Sequence, residues 1–138
     1  MASSRKPPPP EFIGGTTFQY SGPDTDNHLW VVVSDPLYDE NHVVVVSFTT
    51  YRPRKDATCL IEPGEHEFVT ITTCVQYLAS RDVKLGVLEE WLDSGRIVTK
   101  APVKPDLLAR IRQGAVDSPQ TPYRAKTILI DQGLANPY

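Results

Sequence analysis

The chain is poor in the residues that carry most specialised chemistry. Its 138 residues include two cysteines, three histidines and one methionine. Cys59 and Cys74 form no Cys-x-x-Cys pair, and no His-x-His or acid-and-histidine cluster occurs, which excludes the usual zinc frameworks. Spacing leaves their redox state open, but a chain of this size in a reducing compartment needs no disulfide, and buried free thiols are common. Long apolar runs are absent too. The longest, from Leu29 to Val33, is far too short to cross a bilayer. The opening MASSRK has basic residues but no apolar stretch after it, so no secretory signal is expected. These absences predict a cytoplasmic protein with no membrane partner, no metal and no cofactor. No internal repeat is visible.

Strong positive charge is also missing. The net charge is −3, which argues against a protein that coats nucleic acid electrostatically. The charge is unevenly spread: residues 1–80 hold five Lys/Arg against ten Asp/Glu, and residues 81–138 hold nine against seven. Inside the acidic half, Arg52, Arg54 and Lys55 form one local basic cluster, either a solvated loop or a phosphate-contacting one.

What is present reads as one domain with a single sizeable core. Residues 1–11, with four prolines at 7–10, read as a polyproline-like tail outside it. The domain proper is expected over residues 12–138, with Gly14–Gly15 and Gly22–Pro23 as turns. Valine-rich segments at 29–34 and 43–50 predict strands, as do 58–61 and 68–78, the last whole or broken near Thr72 and Thr73. Pro63–Gly64 is the turn between the last two. After Ser80, Val87, Leu88, Trp91 and Leu92 recur at helical spacing up to Gly95. A second helix is expected from Pro105, with Leu107, Leu108 and Ile111 on one face. Residues 127–130 fit a last strand or a packed extended tail. The fold class predicted is α+β, mainly β: a small curled antiparallel barrel with C-terminal helices.

The chemistry concentrates in one hairpin, His28-Leu-Trp-Val-Val-Val-Ser34 and Val43-Val-Val-Val-Ser-Phe-Thr-Thr50, joined by a polar connection at 35–42. Placing Ser34 opposite Val43 pairs the apolar sets as Leu29 with Phe48, Val31 with Val46 and Val33 with Val44. The same register sets His28 opposite Thr49 on the other, more polar face, and a one-residue slip would destroy both results. Metal-free RNA cleavage needs a group to take the 2′-hydroxyl proton, one to protonate the leaving oxygen, and donors to hold the phosphate. Imidazole suits proton transfer. His28 is therefore the candidate acid/base, Thr49 the hydroxyl donor and Arg52 a phosphate clamp. Tyr51 can stack on an unpaired base, Arg54 and Lys55 can add charge, and His66, among the acids of a loop, is a second candidate contact. Each also has a plain explanation: a solvent-facing histidine, strand-forming threonines, a tyrosine packed on the rim. Tyr77 and Trp91 are read as core.

At this hairpin the sequence resembles the MazF/PemK toxins, a superfamily of growth inhibitors that includes Kid and CcdB-like proteins. The resemblance rests on two valine-rich strands, the first ending in Ser34 and the second in Thr49-Thr50, on the Cys59-Leu-Ile segment, on a strand ending in Val75-Gln-Tyr77, and on Leu107-Leu-Ala-Arg-Ile111. It runs over residues 28–114. It implies a Src-homology-3-like barrel, metal-independent endoribonuclease activity on single-stranded mRNA, a homodimer, and an antitoxin protein as partner. The family's catalytic threonine falls on Thr49, and its arginine position holds His28. Where the family usually has an acid before glutamine, Val75–Gln76 stands here. Two other readings remain: a non-catalytic small-barrel module that binds a protein segment or RNA, and a toxin of the CcdB type that binds a topoisomerase.

Overall fold

The computed structural model describes residues 12–22, 28–37 and 41–137. The proline-rich tail, the turn at Pro23, the middle of the 35–42 connection and Tyr138 lie outside the described residues. Among the described residues, six strands form one antiparallel sheet, β1 (Thr17–Tyr20), β2 (Trp30–Val32), β3 (His42–Thr50), β4 (Leu60–Ile61), β5 (Thr73–Lys84) and β6 (Ile97–Lys100), with three helices, α1 (Leu85–Asp93), α2 (Pro105–Asp117) and α3 (Tyr123–Asp131). The spatial order is β4-β5-β3-β2-β1-β6, and every neighbouring pair is antiparallel. Fold class is thus α+β and mainly β, but the sheet is open, with β4 and β6 as its two edges. The predicted closed barrel is not what the strands form.

The hairpin register is the one its hydrophobic pattern demands. Trp30 pairs with Ser47, Val31 with Val46 and Val32 with Val45. Leu29, Val31, Val33, Val44, Val46 and Phe48 all enter one core, covered by Leu107, Leu108 and Ile111 of α2 and by Ile128 and Leu129 of α3. The opposite face corrects the expectation of a polar exterior. Trp30, Val32, Val43 and Val45 build a second core with Phe12, Phe18, Ile97 and Leu88 of α1. Both faces of the hairpin are therefore buried, which is why its valines run unbroken instead of alternating with polar residues. The two serines within it are sealed as well; Ser34 Oγ accepts from the Val44 amide at 2.7 Å.

The long β5 serves both cores through an irregularity. Val45 of β3 faces Arg81 and Ser47 faces Gln76, so residues 77–80 of β5 lie across from Val46 alone. The surplus is an odd number of residues, so it reverses which face the following side chains occupy. Val75 and Tyr77 join the helix-covered core; Ala79 and Val83 pack on the second. Ser80 Oγ donates to the Tyr77 carbonyl at 2.6 Å within the irregular stretch. Arg81 then stacks its guanidinium over the Trp30 ring, 5.1 Å from the centroid.

Two predicted elements change, and two strands, β1 and β6, are additional to those predicted. Residues 68–72 are loop, and the strand instead starts at Thr73 and runs to Lys84. Residues 127–130 belong to helix α3, since Ala125, Ile128 and Leu129 share a buried side at helical spacing. Strand β6 was not foreseen: it supplies only Ile97 to the core, while Val98 and Lys100 are exposed.

Tyr77 is fully buried, as its core reading requires, and its hydroxyl donates to the Ile111 carbonyl at 2.8 Å. Trp91 is half-buried, with Arg96 stacked on it. A Cβ at Gly114 would collide with the Tyr77 hydroxyl. Gly114→Ala would gain about 1 kcal/mol of helix propensity, but overpacking costs about 1–3 kcal/mol. The variant is therefore expected to be less stable, read as a lower denaturant midpoint, and an unchanged or higher midpoint would show that α2 can move away.

Candidate functional site

The strand ends carry the candidate chemistry. Just before β2, His28 Nδ1 lies 2.9 Å from the Phe48 carbonyl oxygen. A carbonyl only accepts, so Nδ1 carries the ring proton and the neutral ring keeps its lone pair on Nε2. Nε2 has no hydrogen-bond partner among the described residues. The Phe48 amide donates to the Leu29 carbonyl at 2.9 Å, which carries the hairpin register past the end of β2 and brings His28 across from Thr49. Both residues line a cleft of about 370 Å³ together with Phe48, Thr50, Phe68, Thr70, Ile71 and Thr73. No carboxylate is among these residues.

Thr49 is 8% exposed, and its Oγ1 accepts from Lys55 Nζ at 3.0 Å. The same ammonium donates to the Thr50 carbonyl at 3.1 Å. Lys55 therefore lies against the end of β3 instead of trailing into solvent. It also lines an adjoining cavity of about 280 Å³ with Arg54, Asp56, Cys74, Gln76 and Gln120. Lys55 thus connects the two cavities through Thr49.

The loop that carries these cations is held by local geometry. The Lys55 amide donates to the Arg52 carbonyl at 3.1 Å, closing a turn with Pro53 and Arg54 at its centre. Arg54 has φ +80°, the left-handed conformation that a type II turn reserves for glycine at that position. Its guanidinium and that of Arg52 are exposed and have no partner among the described residues. One step further, the Asp56 carboxylate accepts from the Ser118 hydroxyl at the end of α2, from the Thr58 hydroxyl, and from the Thr58 amide at 2.9 Å. Partial burial alone would raise the Asp56 carboxyl, but these hydrogen bonds outweigh it and hold the group below the usual carboxylate range. Asp56 thereby ties the Lys55 loop to the helix layer.

The remaining sequence candidates lie elsewhere. Tyr51 sits where β3 ends, half-buried, its amide donating to the Thr72 carbonyl at 3.0 Å; it lines neither cavity. His66 is buried. Its Nδ1 accepts from the Phe68 amide at 3.0 Å, so Nε2 bears the proton and donates to the Ala101 carbonyl at 2.7 Å. Both nitrogens are engaged inside the fold. Cys59 and Cys74 are free and buried. Cys59 packs in the helix-covered core, whereas Cys74 pairs with Thr49 and lines the Lys55 cavity. Burial pushes both thiols above their ordinary value.

Comparison of the chain with known protein families, with curated proteins and with solved structures finds no match.

Sequence reading missed Phe68, Thr70, Ile71 and Thr73 as lining residues because it placed all four inside a strand. The usable signal was the Glu62-Pro-Gly-Glu-His-Glu stretch before Phe68, which is turn chemistry and displaces the strand start. It also missed Asp56, whose role depends on Ser118, remote in sequence.

The Asp56 anchor has a signed consequence. A folded-state value below the unfolded one adds stability that is complete above the unfolded value and fades as pH falls through the folded one. Asp56→Asn is expected to lower stability near neutrality and to flatten the decline between about pH 5 and 2, measured as denaturant midpoints against pH. The decline will not vanish, since His42 and Arg124 likewise hold Asp82 low against its partial burial. A variant whose acid profile overlays the parent's would rule out Asp56 as the anchor.

Proposed function

We propose that the chain is a metal-independent endoribonuclease that cuts single-stranded RNA in the cleft beside His28 and Thr49, a growth-inhibitor toxin related to the MazF/PemK group with a divergent site. The observation that carries this reading is the tautomer of His28. With Nδ1 committed to the Phe48 carbonyl, the basic nitrogen is Nε2, on a ring that lines the same cleft as Thr49.

The chemistry follows from those groups. His28 Nε2 takes the proton of a 2′-hydroxyl, and the 2′-oxygen attacks the adjacent phosphorus. The bond from phosphorus to the 5′-oxygen breaks, and the imidazolium returns its proton to that leaving oxygen. The products are a 2′,3′-cyclic phosphate and a 5′-hydroxyl. Thr49 accepts from Lys55 and so has its own hydroxyl proton to offer a non-bridging oxygen as negative charge develops there. Lys55 and Arg54 supply positive charge beside it; Arg52 is the outer cation. In this reading His28 takes the place of the family's arginine, an antitoxin neutralises the protein, and the sheet is an opened relative of the Src-homology-3-like barrel that works as a homodimer.

Purified protein and a mixed-sequence single-stranded RNA in the presence of a chelator provide the test. His28→Ala is expected to slow cleavage by about 10²-fold or more, and Thr49→Val, which keeps the strand packing, by about 10²-fold. Intact RNA, or cleavage equal in parent and His28→Ala, would discard the nuclease. The alternative is a non-catalytic binding module, favoured by the two exposed apolar side chains, Phe68 and Ile71, at the same cleft.

Arg54 adds an independent check. Relieving its left-handed backbone with Arg54→Gly is expected to raise stability by up to about 1 kcal/mol while weakening RNA binding. Stability gained with RNA affinity unchanged would remove Arg54 from the site.

A further inference from the structure

The cleft beside His28 has a lip that the strand-cleaving chemistry does not use. Phe68 is 38% exposed and Ile71 is 57% exposed, and both line the cleft. Isolated exposed apolar residues are ordinary on protein surfaces, but these two stand on a loop fixed at many points. The Phe68 amide donates to His66 Nδ1 and the Val69 amide to the His66 carbonyl, while His66 Nε2 donates to Ala101. Val69 is anchored in the core. The Thr73 hydroxyl donates to the Ile71 carbonyl at 2.8 Å, and the Thr72 hydroxyl to Glu62 at 2.8 Å. An aromatic ring is thus presented to solvent from a rigid frame, at little ordering cost to a ligand.

The rest of the cleft defines what would lie against that ring. Thr50, Thr70 and Thr73 provide hydroxyls and His28 an imidazole, with no carboxylate in the lining, and at the Thr49 end Lys55, which lines the neighbouring cavity, donates its ammonium to the Thr49 hydroxyl. An aromatic wall, a hydroxyl-rich floor and a cationic end match the base, ribose and phosphate of one nucleotide. At about 370 Å³ the cleft is at the small end of ligand pockets. A base can reach Phe68 only if it is unpaired, because a duplex keeps its bases stacked inside.

We infer that Phe68, held by His66, is the platform on which an unpaired nucleobase stacks beside the scissile phosphate, so that this cleft selects single-stranded RNA by its base. The inference rests on the RNA-cleaving reading and names its substrate contact. It gives His66 a positioning part, through the Phe68 amide, in place of direct substrate contact.

The test uses the full chain carrying His28→Ala, which slows cleavage enough for binding to be read, and two labelled strands of equal length, oligouridylate and its abasic counterpart. Oligouridylate is expected to bind about tenfold more tightly. Phe68→Ala in the same background should erase that preference, and Phe68→Trp should keep it and show indole quenching with oligouridylate but not with the abasic strand. An unshifted unfolding midpoint in each variant separates contact from folding. A preference that survives Phe68→Ala, or equal binding of both strands, overturns the inference and leaves the nuclease reading to its own cleavage assay. Binding of neither strand overturns the inference as well. Parent protein that cleaves single strands and duplexes equally would do the same.

Discussion

The strand β3 is hydrogen-bonded along both edges and buried on both faces, and everything else is arranged to satisfy it. Its odd and even side chains belong to two different cores, one under α2 and α3 and one under α1. A shift of one residue would exchange those sets, placing Val45 where Val46 fits and Ser47 where Phe48 is buried. The register is therefore fixed twice over. That constraint carries along the chain to Thr49 and Thr50, so the candidate chemistry lies at the end of the most rigid element instead of on a free loop.

The second face requires the irregularity in β5. An uninterrupted strand would send Arg81 and Val83 to the same side as Val75 and Tyr77, putting a guanidinium into the helix-covered core. The odd surplus across from Val46 turns Arg81 onto Trp30 and Val83 onto the α1 side, and leaves Asp82 facing Arg124 at 2.9 Å. One sequence thus reads as core for one face up to Tyr77 and for the other from Ala79 onward. The helices then cover what each half exposes.

This explains what was legible in the sequence. The β2–β3 pairing was, because two valine-rich runs admit one good register, and so were α1 and α2, whose apolar residues recur at helical spacing with Gly95 and Pro105 as boundaries. Burial of the second face was also written there: three valines in a row and then four leave no polar alternation for solvent. That signal was outweighed by the serines and threonines, of which Ser34, Ser47 and Thr49 are buried and Ser34 and Thr49 hydrogen-bonded through their side chains. The face reversal in β5 was not readable, since no Gly or Pro marks residues 77–80. Nor was α3, whose buried set is too sparse to separate from a strand without its partners on the sheet. At the site, His28 opposite Thr49 followed from register alone, whereas Lys55 on Thr49 depends on a turn with an arginine at a glycine-like position.

Charge distribution fits a site of this kind better than the net value suggests. A chain of net charge −3 has little general attraction for polyanions, so non-specific coating of RNA is disfavoured. Within the acidic half, positive charge is instead local: Arg52, Arg54 and Lys55 stand together on one turn, and Lys55 is bonded to Thr49, which lines a cleft without an acid. Asp56 is the nearest carboxylate in sequence and lines the Lys55 cavity, but its oxygens are taken up by Ser118 and Thr58, so it braces the loop. The braced basic turn thus places positive charge next to the hydroxyl of Thr49 within a chain whose net charge is negative.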